Sequence, residues 1–290
     1  MNRAFLSILI GGIACLATQA RATDLYMVGH QDDWPLFMGN KVFDQIATGV
    51  DINFIYLTAG DAGWKAGGWN TIGYFKAREN GVVGAARFAA STIPVWYPDD
   101  ENKWVTLNGH NIWTVRHRNT LHYFLRLPDG NVNGNGFEGT GYVSVSKLHA
   151  GRIKSITAVD GSTTYKGYDD LKRTVQAILN QYVPGKANLS DVDSNYNGGS
   201  NPDHYEATIL AMNALDGTFT GYRLWTDYAM LSGPSTLGQD DLMNKTAMFG
   251  ALCLGMSQSG YNLVYESWHK SFLSRSFYRD VPSPYTGARS

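Results

Sequence analysis

Two apolar segments near the N-terminus, separated by a helical pattern, constrain the fold of this chain more than any other feature. Leu25–Gly29 and Ile52–Thr58 are dominated by apolar, strand-forming residues, which is typical of strands buried within a sheet. Between them, Pro35–Thr48 carries apolar residues at helical spacing. A strand, a helix and a second strand in this order predict a right-handed βαβ unit and therefore a parallel sheet.

The rest of the chain continues the α/β pattern and contains one β-rich stretch. Helical periodicity predicts helices over residues 73–90, 168–183, 203–215 and 242–256. Between about residues 94 and 156, short strand-like pieces are separated by Gly, Asn and Asp. No internal repeat or linker divides the chain. We therefore predict a single α/β domain over residues 23–290, with a mostly parallel sheet flanked by helices and a β-rich insertion at about residues 94–156.

Residues 1–22 have the features of a secretory signal peptide. A short positive start is followed by the apolar stretch Phe5–Ala17 and by Ala20-Arg21-Ala22, which fits a cleavage site. The apolar stretch is too short to span a bilayer comfortably, and no other segment is long enough. We expect cleavage and a secreted, periplasmic or extracellular protein without stable membrane insertion; a retained anchor and lipidation of Cys15 are the alternatives.

Composition excludes several classes of function. Removal of Arg3 and Arg21 with the signal changes the formal charge from −1 to −3, so nothing in the charge favours nucleic-acid binding. Only Cys253 remains, which excludes an intrachain disulfide. Protein partners and oligomeric state are not indicated by the sequence.

Two enzyme classes fit the motifs poorly. No glycine-rich turn follows the first predicted strand, so a dinucleotide site is not expected there. The segment Gly255–Gly260 contains two serines but lacks one glycine of the nucleophile elbow of serine hydrolases.

The strongest local signal is Gly29-His30-Gln31-Asp32-Asp33, at the end of the first predicted strand. Ligand sites in open α/β sheets gather at the carboxyl ends of strands. Two adjacent carboxylates beside a histidine are costly to bury unless a positive group lies between them. His30 and Asp33 could therefore hold one cation while Asp32 serves in proton transfer. A solvated acidic loop is the alternative.

A second cluster, Asn201-Pro202-Asp203-His204, comes at the start of a predicted helix. Pro202 suits the first turn of a helix, and Asn201 suits the N-cap. His204 would then face the carboxyl ends of the strands. The alternative is an ordinary helix start with a packed histidine.

Together, these segments resemble motifs of the N-acetylglucosaminyl-phosphatidylinositol de-N-acetylase family, also called PIG-L or LmbE-like proteins. His30–Asp33 is similar to the family's His-Pro-Asp-Asp motif, and Pro202–His204 is similar to its later His-Pro-Asp-His motif. Further segments resemble family elements in the same order, and the resemblance runs from Leu25 to Gln258. These segments are Phe54–Asp61, Ala77–Glu79 with Ala85-Ala86, and Lys245 with Ser257-Gln258.

The resemblance implies a Rossmann-like fold and a zinc-dependent hydrolase. Its expected substrate is an N-acetylated sugar of the N-acetylglucosamine type, or a glycoconjugate, from which it would remove the acetyl group. His30, Asp33 and His204 would hold one zinc per chain. Three protein ligands leave a coordination position for water, as in catalytic rather than structural zinc sites.

The resemblance also assigns roles around that zinc. Asp32 would be the general base that takes a proton from the attacking water and passes it to the leaving amine. Arg78 would bind the polar substrate, and Asp61 would help to orient it.

Two positions depart from the family pattern. Gln31 replaces a proline, from which we expect some loss of rigidity and no change in chemistry. Asn201 replaces the first histidine of the later motif; an asparagine amide can donate a hydrogen bond to an oxyanion but cannot supply a proton. The sequence leaves four histidines as alternative proton donors, namely His110, His117, His122 and His149.

The rival hypothesis is a carbohydrate-binding protein or a degenerate family member without turnover. Several tryptophans could stack on sugar rings, although core and loop packing would equally account for each of them. The residues in question are Trp64, Trp69, Trp104 and Trp113.

Overall fold

The structure is a computed structural model that describes residues 22–63, 73–94, 100–215, 221–261 and 267–283. The predicted signal peptide lies outside these residues except for Ala22, and Trp64 and Trp69 also lie outside them. Among the described residues, no helix combines the length and the apolar character that a membrane span requires.

Within the described ranges, eight strands form one sheet and two short strands form a separate ribbon. The strands are β1 (Ala22–Val28), β2 (Ile52–Thr58), β3 (Glu101–Leu107), β4 (His110–His117), β5 (Thr120–Leu127), β6 (Ile156–Thr157), β7 (Thr164–Tyr165), β8 (Val183–Ser190), β9 (Gly221–Trp225) and β10 (Tyr278–Pro282). The order in the large sheet is β10-β9-β8-β1-β2-β5-β4-β3. The central strands β9, β8, β1, β2 and β5 are parallel, and β10, β4 and β3 are antiparallel additions. The predicted, mostly parallel α/β fold is confirmed.

Helices cover both faces of this sheet. They are α1 (Gly39–Ala47), α2 (Tyr74–Ala90), α3 (Val145–His149), α4 (Tyr168–Leu179), α5 (Ser194–Asn197), α6 (Pro202–Leu215), α7 (Gln239–Gln258) and α8 (Ser267–Leu273). Side chains alternate along β1, as expected for a strand buried on both faces. Tyr26 and Val28 pack in the cluster with α1, α2, α7 and α8, whereas Leu25 and Met27 pack in the cluster with α3, α4 and α6.

The region predicted to be β-rich contains β3, β4 and β5, and all three strands belong to the large sheet. β5 pairs in parallel with β2, so it is part of the central sheet. β4 and β3 extend that sheet by two antiparallel strands, and β3 forms its edge.

One predicted helix is too long, because the chain enters a strand where the helical pattern was expected to continue. The prediction covered residues 168–183, but α4 ends at Leu179 and Val183 begins β8. Gly185 allows this strand to approach β1 closely: a β-carbon there would lie 2.7 Å from Asp24 Oδ1.

The strand order reverses between β1 and β8. From β1 the chain runs to β2 on one side, and it later returns to β8 on the other side of β1. In sheets of this kind, the crevice at the carboxyl ends of the strands beside the reversal is where ligands bind. The turn after β1 and the segment after β8 therefore meet at the expected place for a site.

Candidate metal centre

The turn after β1 and the start of α6 come into direct contact through Gly29. A β-carbon at Gly29 would lie 2.9 Å from the carbonyl carbon of Asp203 and 2.9 Å from His204 Cδ2. Any larger residue would push the two segments apart. Within the turn, the backbone N–H of His30 donates to Asp33 Oδ2 over 2.8 Å, which fixes the Asp33 carboxylate beside the His30 ring.

Three buried side chains converge on one point at this contact. His30 Nδ1 lies 3.1 Å from His204 Nε2, and Asp33 Oδ1 lies 3.1 Å from His204 Nε2 and 3.6 Å from His30 Nδ1. Ligand atoms around a tetrahedral zinc with bonds of about 2.0–2.2 Å are about 3.3–3.6 Å apart. Two imidazole nitrogens and one carboxylate oxygen at this spacing fit a zinc ion and leave a coordination position for water.

The outer nitrogen of each histidine contacts a carboxylate. His30 Nε2 lies 3.2 Å from Asp203 Oδ2, and His204 Nδ1 lies 3.0 Å from Asp227 Oδ2. A carboxylate accepts a hydrogen bond from the N–H of a neutral imidazole, which leaves the lone pair of the other ring nitrogen directed at the centre. Both histidines are therefore held in the tautomer that a metal requires.

These two carboxylates are themselves fixed by buried donors. Asp227 Oδ2 accepts hydrogen bonds from Ser200 Oγ over 2.7 Å and from Asn197 Nδ2 over 3.1 Å. Asp203 Oδ2 accepts from the backbone N–H of Gly130 over 2.8 Å. A β-carbon at Gly130 would lie 2.4 Å from Asp203 Oδ1, so this close approach requires glycine.

The charges around the centre favour a positive charge in its middle. Burial lowers the pKa of His204, but the charges of Asp33 and Asp227 outweigh that effect and raise it to about 10. Burial likewise raises the pKa of Asp33, and the neighbouring His204 and His30 more than reverse this and hold it well below its usual range.

A second group of possible ligands, His30, Asp129 and Asp203, lies on the other side of the His30 ring. It uses His30 Nε2, which lies 3.8 Å from Asp129 Oδ2 and already contacts Asp203. Only one imidazole belongs to this group. The first group, with two imidazoles and a shared carboxylate, is the better zinc site.

A cavity of about 170 Å³ opens beside the three candidate ligands. It is lined by His30, Asp32, Asp33, Leu36, Phe37, Arg78, Asp129, Asn201, Tyr228, Trp268 and His269. Of the predicted site residues, His30, Asp32, Asp33, Arg78 and Asn201 line this cavity, and the fully buried His204 lies behind it.

Asp32 and Arg78 form an ion pair within the cavity. Arg78 Nε also donates to Gln31 Oε1 over 3.0 Å, and Gln31 Nε2 donates to the carbonyl of Thr58 over 3.1 Å. Burial lowers the pKa of Arg78, but the Asp32 charge more than offsets this and raises it. The side chain at the position of the family's proline thus connects Arg78 to the end of β2.

Asn201 has its amide oriented by the start of α6. Its Oδ1 accepts a hydrogen bond from the backbone N–H of Asp203 over 2.9 Å, as an N-terminal cap does. Because the oxygen is used in the cap, the NH₂ group is the end that can donate to a molecule in the cavity.

Asp61 is not among the residues that line the cavity. It is fully buried, and its Oδ1 accepts a hydrogen bond from the backbone N–H of Asp129 over 2.9 Å while Oδ2 accepts from that of Gly63 over 3.1 Å. Burial raises its pKa to about 6. Its position supports the loop that brings Asp129 to the cavity, rather than direct contact with substrate.

None of the four histidines suggested as proton donors lines the cavity. Each contacts a polar side chain elsewhere among the described residues: His110 with Thr163, His117 with Asp100, His122 with Tyr56 and His149 with Glu206. The cavity instead contains His269, from α8. The sequence analysis identified neither this short helix nor its histidine.

Aromatic side chains cover the protein side of the centre. The ring centroids of Phe37 and Tyr228 lie 5.9 Å and 5.4 Å from that of His204. Trp268 packs against Tyr228 at 5.3 Å. This apolar wall lowers the local dielectric and strengthens the electrostatic interactions of the charged groups at the centre.

Comparison with known proteins gives a likeness of fold. No protein-family model matches the sequence, and no curated protein matches it. Among solved structures, an N,N'-diacetylchitobiose deacetylase from Pyrococcus horikoshii has a similar fold, with a TM-score of 0.53 and 13% identity over 90% of this chain and 84% of that chain. The Rossmann-like fold implied by the motif resemblance is therefore confirmed.

Two further solved structures are less similar. A deacetylase of the teicoplanin biosynthetic pathway, solved as a triple mutant, has a TM-score of 0.48 and 13% identity over 87% of each chain. The A40926 pseudoaglycone deacetylase Dbv21 has a TM-score of 0.47 and 13% identity over 83% of each chain.

Proposed function

We propose that this chain is a secreted, zinc-dependent amide hydrolase of the PIG-L or LmbE-like type that removes an acetyl group from an N-acetylated sugar or glycoconjugate. The observation that carries this proposal is the convergence of His30, Asp33 and His204, from segments more than 170 residues apart, on one point beside a polar cavity. The diacetylchitobiose deacetylase of similar fold supports an N-acetylated sugar as the substrate class.

His30, Asp33 and His204 would hold the zinc, whose chemistry when bound is to lower the pKa of a water molecule and to polarise the substrate carbonyl. Asp227 and Asp203 hold the two imidazoles in the required tautomers. The protein thus supplies both the ligands and the groups that orient them.

Asp32 is the proposed general base. It lines the cavity next to the candidate ligand Asp33, and Arg78 fixes the position of its carboxylate. Asp32 takes a proton from the attacking water and delivers it to the leaving amine. Arg78 is thereby a positioning group for the base, and its exposure to the cavity also allows it to bind a hydroxyl of the substrate.

Asn201 is proposed to stabilise the tetrahedral oxyanion through its amide N–H. Because Asn201 cannot donate a proton, the leaving amine depends on Asp32 or on His269, a histidine outside the candidate ligand set that lines the same cavity. A water-excluding wall formed by Phe37 and Tyr228 strengthens these interactions.

Secretion is proposed from the N-terminal sequence. Cleavage after Ala22 leaves Thr23 and the rest of β1 with the mature chain, so the central strand of the sheet is retained. An exported enzyme meets extracellular glycans, which agrees with an acetylated polymer or glycoconjugate as substrate.

The first test is zinc content of the purified mature protein, together with acetate release from N-acetylated sugars. We expect about one zinc per chain, lost in His30→Ala and His204→Ala and retained in Asp32→Asn, Asp44→Asn and the wild type. Asp32→Asn should release no acetate, whereas Asp44→Asn, which changes a surface acid of α1, should behave as the wild type.

Two outcomes would contradict the proposal in different ways. An absence of zinc after reconstitution would exclude the metal hydrolase, and tight sugar binding in that protein would favour a carbohydrate-binding function. Acetate release that survives in Asp32→Asn would remove the proposed base.

A further inference from the structure

A second cavity, of about 330 Å³, lies between α2 and the strands β3, β4 and β5. It is lined by Lys76, Glu79, Asn80, Trp104, Trp113 and Arg126. None of these residues takes part in the proposed metal chemistry. The cavity is formed by the two antiparallel strands that extend the parallel sheet, which have no part in positioning the candidate ligands.

A row of aromatic residues leads from the core to this cavity. Tyr56, Phe124, Trp113 and Trp104 are cross-strand neighbours on β2, β5, β4 and β3. Tyr56 and Phe124 are buried, whereas Trp104, at the sheet edge, is 47% exposed. Core packing accounts for the inner members of the row. It does not account for a half-exposed indole on an edge strand, where polar residues are the usual choice.

Arg126 is held rigidly in this cavity. Its guanidinium forms a bidentate ion pair with Glu79, over 2.6 Å and 2.7 Å, and a further bond of 2.6 Å to Asp160. It lies 5.2 Å and 5.7 Å from the ring centroids of Trp104 and Trp113. Arg126 has φ +56 and lies where the pairing of β2 with β5 shifts register, so a bulge in β5 directs its side chain.

The chemistry of the lining matches a sugar ring. One face of a pyranose carries C–H groups that pack on an indole, and its hydroxyls need donors and acceptors at the rim. Trp104 offers the indole face, while the exposed Lys76 and Asn80 offer polar groups. The charge of Arg126 is balanced by Glu79 and Asp160, so the cavity has little excess charge to attract a polyanion.

Two segments of the chain, in α2 and at the end of β5, contribute residues to both cavities. Arg78 lines the cavity beside His30 and Asp33 (the metal cavity), and its neighbour Glu79 lines the second cavity. Arg126, at the end of β5, lines the second cavity, and Asp129, three residues later, lines the first. Because these segments are common to both cavities, a glycan of several linked sugars is the kind of ligand that can occupy both.

We propose that the cavity beside Trp104 is a saccharide subsite that binds a second pyranose unit of an N-acetylated glycan. This inference rests on the proposed function, because that function supplies the class of glycan. The subsite predicts that oligosaccharides bind more tightly than the monosaccharide and that this difference in affinity depends on Trp104.

The test measures binding of N-acetylglucosamine and of N-acetylated chitotetraose by calorimetry and tryptophan fluorescence. The full mature chain carries Asp32→Asn in these experiments, so that turnover does not consume the ligand. We expect the tetramer to bind about ten-fold or more tightly than the monomer. Only the tetramer can stack a sugar ring on Trp104, and one such aromatic contact with its buried area has about this effect on affinity. Trp104→Ala in the same background should remove this advantage, and Trp104→Phe should retain part of it.

Tyr142→Ala is the matched control, because Tyr142 is 55% exposed and lines neither cavity. It should keep the full preference for the tetramer. An equal preference in Trp104→Ala and Tyr142→Ala, or no preference in the parent protein, would overturn the subsite.

The failure of the subsite and the failure of the proposed function give different results. Acetate release by the wild type from the monosaccharide, with no effect of chain length or of Trp104→Ala, would reject the subsite and leave the hydrolase intact. Tetramer binding that depends on Trp104 in a protein that releases no acetate would support the subsite and reject the hydrolase.

Discussion

Asp227 is completely buried, and its carboxylate contacts His204, Ser200, Asn197 and Ser190. This arrangement leaves the carboxylate no freedom to turn, so it holds the His204 ring in place. Replacement by asparagine would keep the volume but could present an N–H to His204 Nδ1, which favours the wrong tautomer. We therefore expect Asp227→Asn to weaken zinc binding by about 10–100-fold, measured by competition with a chromophoric chelator.

The control for this variant is Asp193→Asn, three residues beyond the end of β8, where the acid caps α5 without contacting a candidate ligand. It should bind zinc as the wild type does. Unchanged zinc affinity in Asp227→Asn would show that the contact with His204 does not orient the ligand.

Replacement of Asn201 by histidine tests the second departure from the family pattern, in which an asparagine stands where the family has a histidine. The Asn201 amide can stabilise an oxyanion but cannot protonate an amine, so Asn201→His should add a proton donor at the cavity. If protonation of the leaving amine limits the reaction, kcat should rise about ten-fold or more below the pKa of the new histidine and fall as pH rises through that pKa. In its neutral form the new imidazole can accept from the Asp203 backbone N–H through Nδ1, as Asn201 does.

An unchanged kcat in Asn201→His would mean that another group already supplies the proton. His269→Gln then identifies that group, because it removes the histidine of the cavity while keeping an amide of similar length. The steady-state measurement is acetate release across pH 5 to 9.

Among single residues, the sequence singled out the three side chains that the structure brings together, but not the residues that surround them. His30, Asp33 and His204 belong to short local motifs that are visible in the chain. Asp227 is a single acid after β9, with no neighbouring motif, although its place at the carboxyl end of a strand is a usable signal. The Gln31 contact with Arg78 joins residues 47 positions apart, which no local pattern encodes.

Lys245 connects two helices on the cavity side of the molecule. Its side chain is fully buried in α7, and Nζ donates to the carbonyl of Phe272, in the last turn of α8, over 3.1 Å and to the carbonyl of Arg275, two residues after that helix, over 2.6 Å. Lys245 thereby fixes α8, which carries Trp268 and His269 to the metal cavity.

This anchor makes stability depend on pH. Burial lowers the pKa of Lys245 to about 7, against about 10.4 in an unfolded chain. Between these values the unfolded chain binds a proton that the folded protein does not, so this group makes the free energy of unfolding rise with pH, by up to about 1.4 kcal/mol per pH unit. Below the folded pKa both states are protonated and the slope vanishes.

Lys245→Met should remove that slope while filling a similar volume. The measurement is urea unfolding of both proteins at intervals from pH 6 to 10, with zinc held constant. Parallel stability curves for the two proteins would show that Lys245 does not titrate on unfolding.

Elements with a regular pattern were predicted well, and those shaped by tertiary contact were not. β2 has the predicted bounds, and α2 differs from its prediction by one residue. β8 contains Pro184 and Gly185 near its start, which obscure a strand pattern. It becomes a strand because it pairs with β1 on one side and β9 on the other, an arrangement that depends on the whole sheet.

At the scale of the whole molecule, the candidate metal centre joins the two sides of the strand-order reversal. His30 and Asp33 follow β1, and His204 lies in the first turn of α6, which follows β8. A cation bound by these residues would tie the two parts of the sheet together, and its binding energy would then contribute to the stability of the complete fold. The sequence predicted the parallel sheet, but only the strand order shows why residues so distant in the chain meet.

The same linkage predicts how zinc stabilisation depends on pH. In the metal-free protein the pKa of His204 is raised to about 10, chiefly because Asp33 and Asp227 outweigh the effect of burial. This protonated histidine stabilises the metal-free fold fully below its unfolded pKa of about 6.5, and that contribution is lost as pH rises toward 10. Zinc needs a neutral imidazole, so binding must displace a proton throughout this window.

Because the facing nitrogens of His30 and His204 are 3.1 Å apart, only one of them can carry a proton between them, and we expect one proton released per zinc. At a fixed free zinc concentration, the stabilisation by zinc should then grow by about 1.4 kcal/mol per pH unit between pH 7 and 9. Calorimetry in buffers of different ionisation enthalpy measures the number of protons released per zinc bound. Thermal unfolding with buffered zinc, compared with unfolding in chelator, measures the stabilisation by zinc. The contradicting result is a zinc-dependent rise in Tm that is constant across this pH range and is not accompanied by proton release. It would mean that His204 is already neutral in the metal-free protein, so that the surrounding carboxylates do not hold a positive charge there.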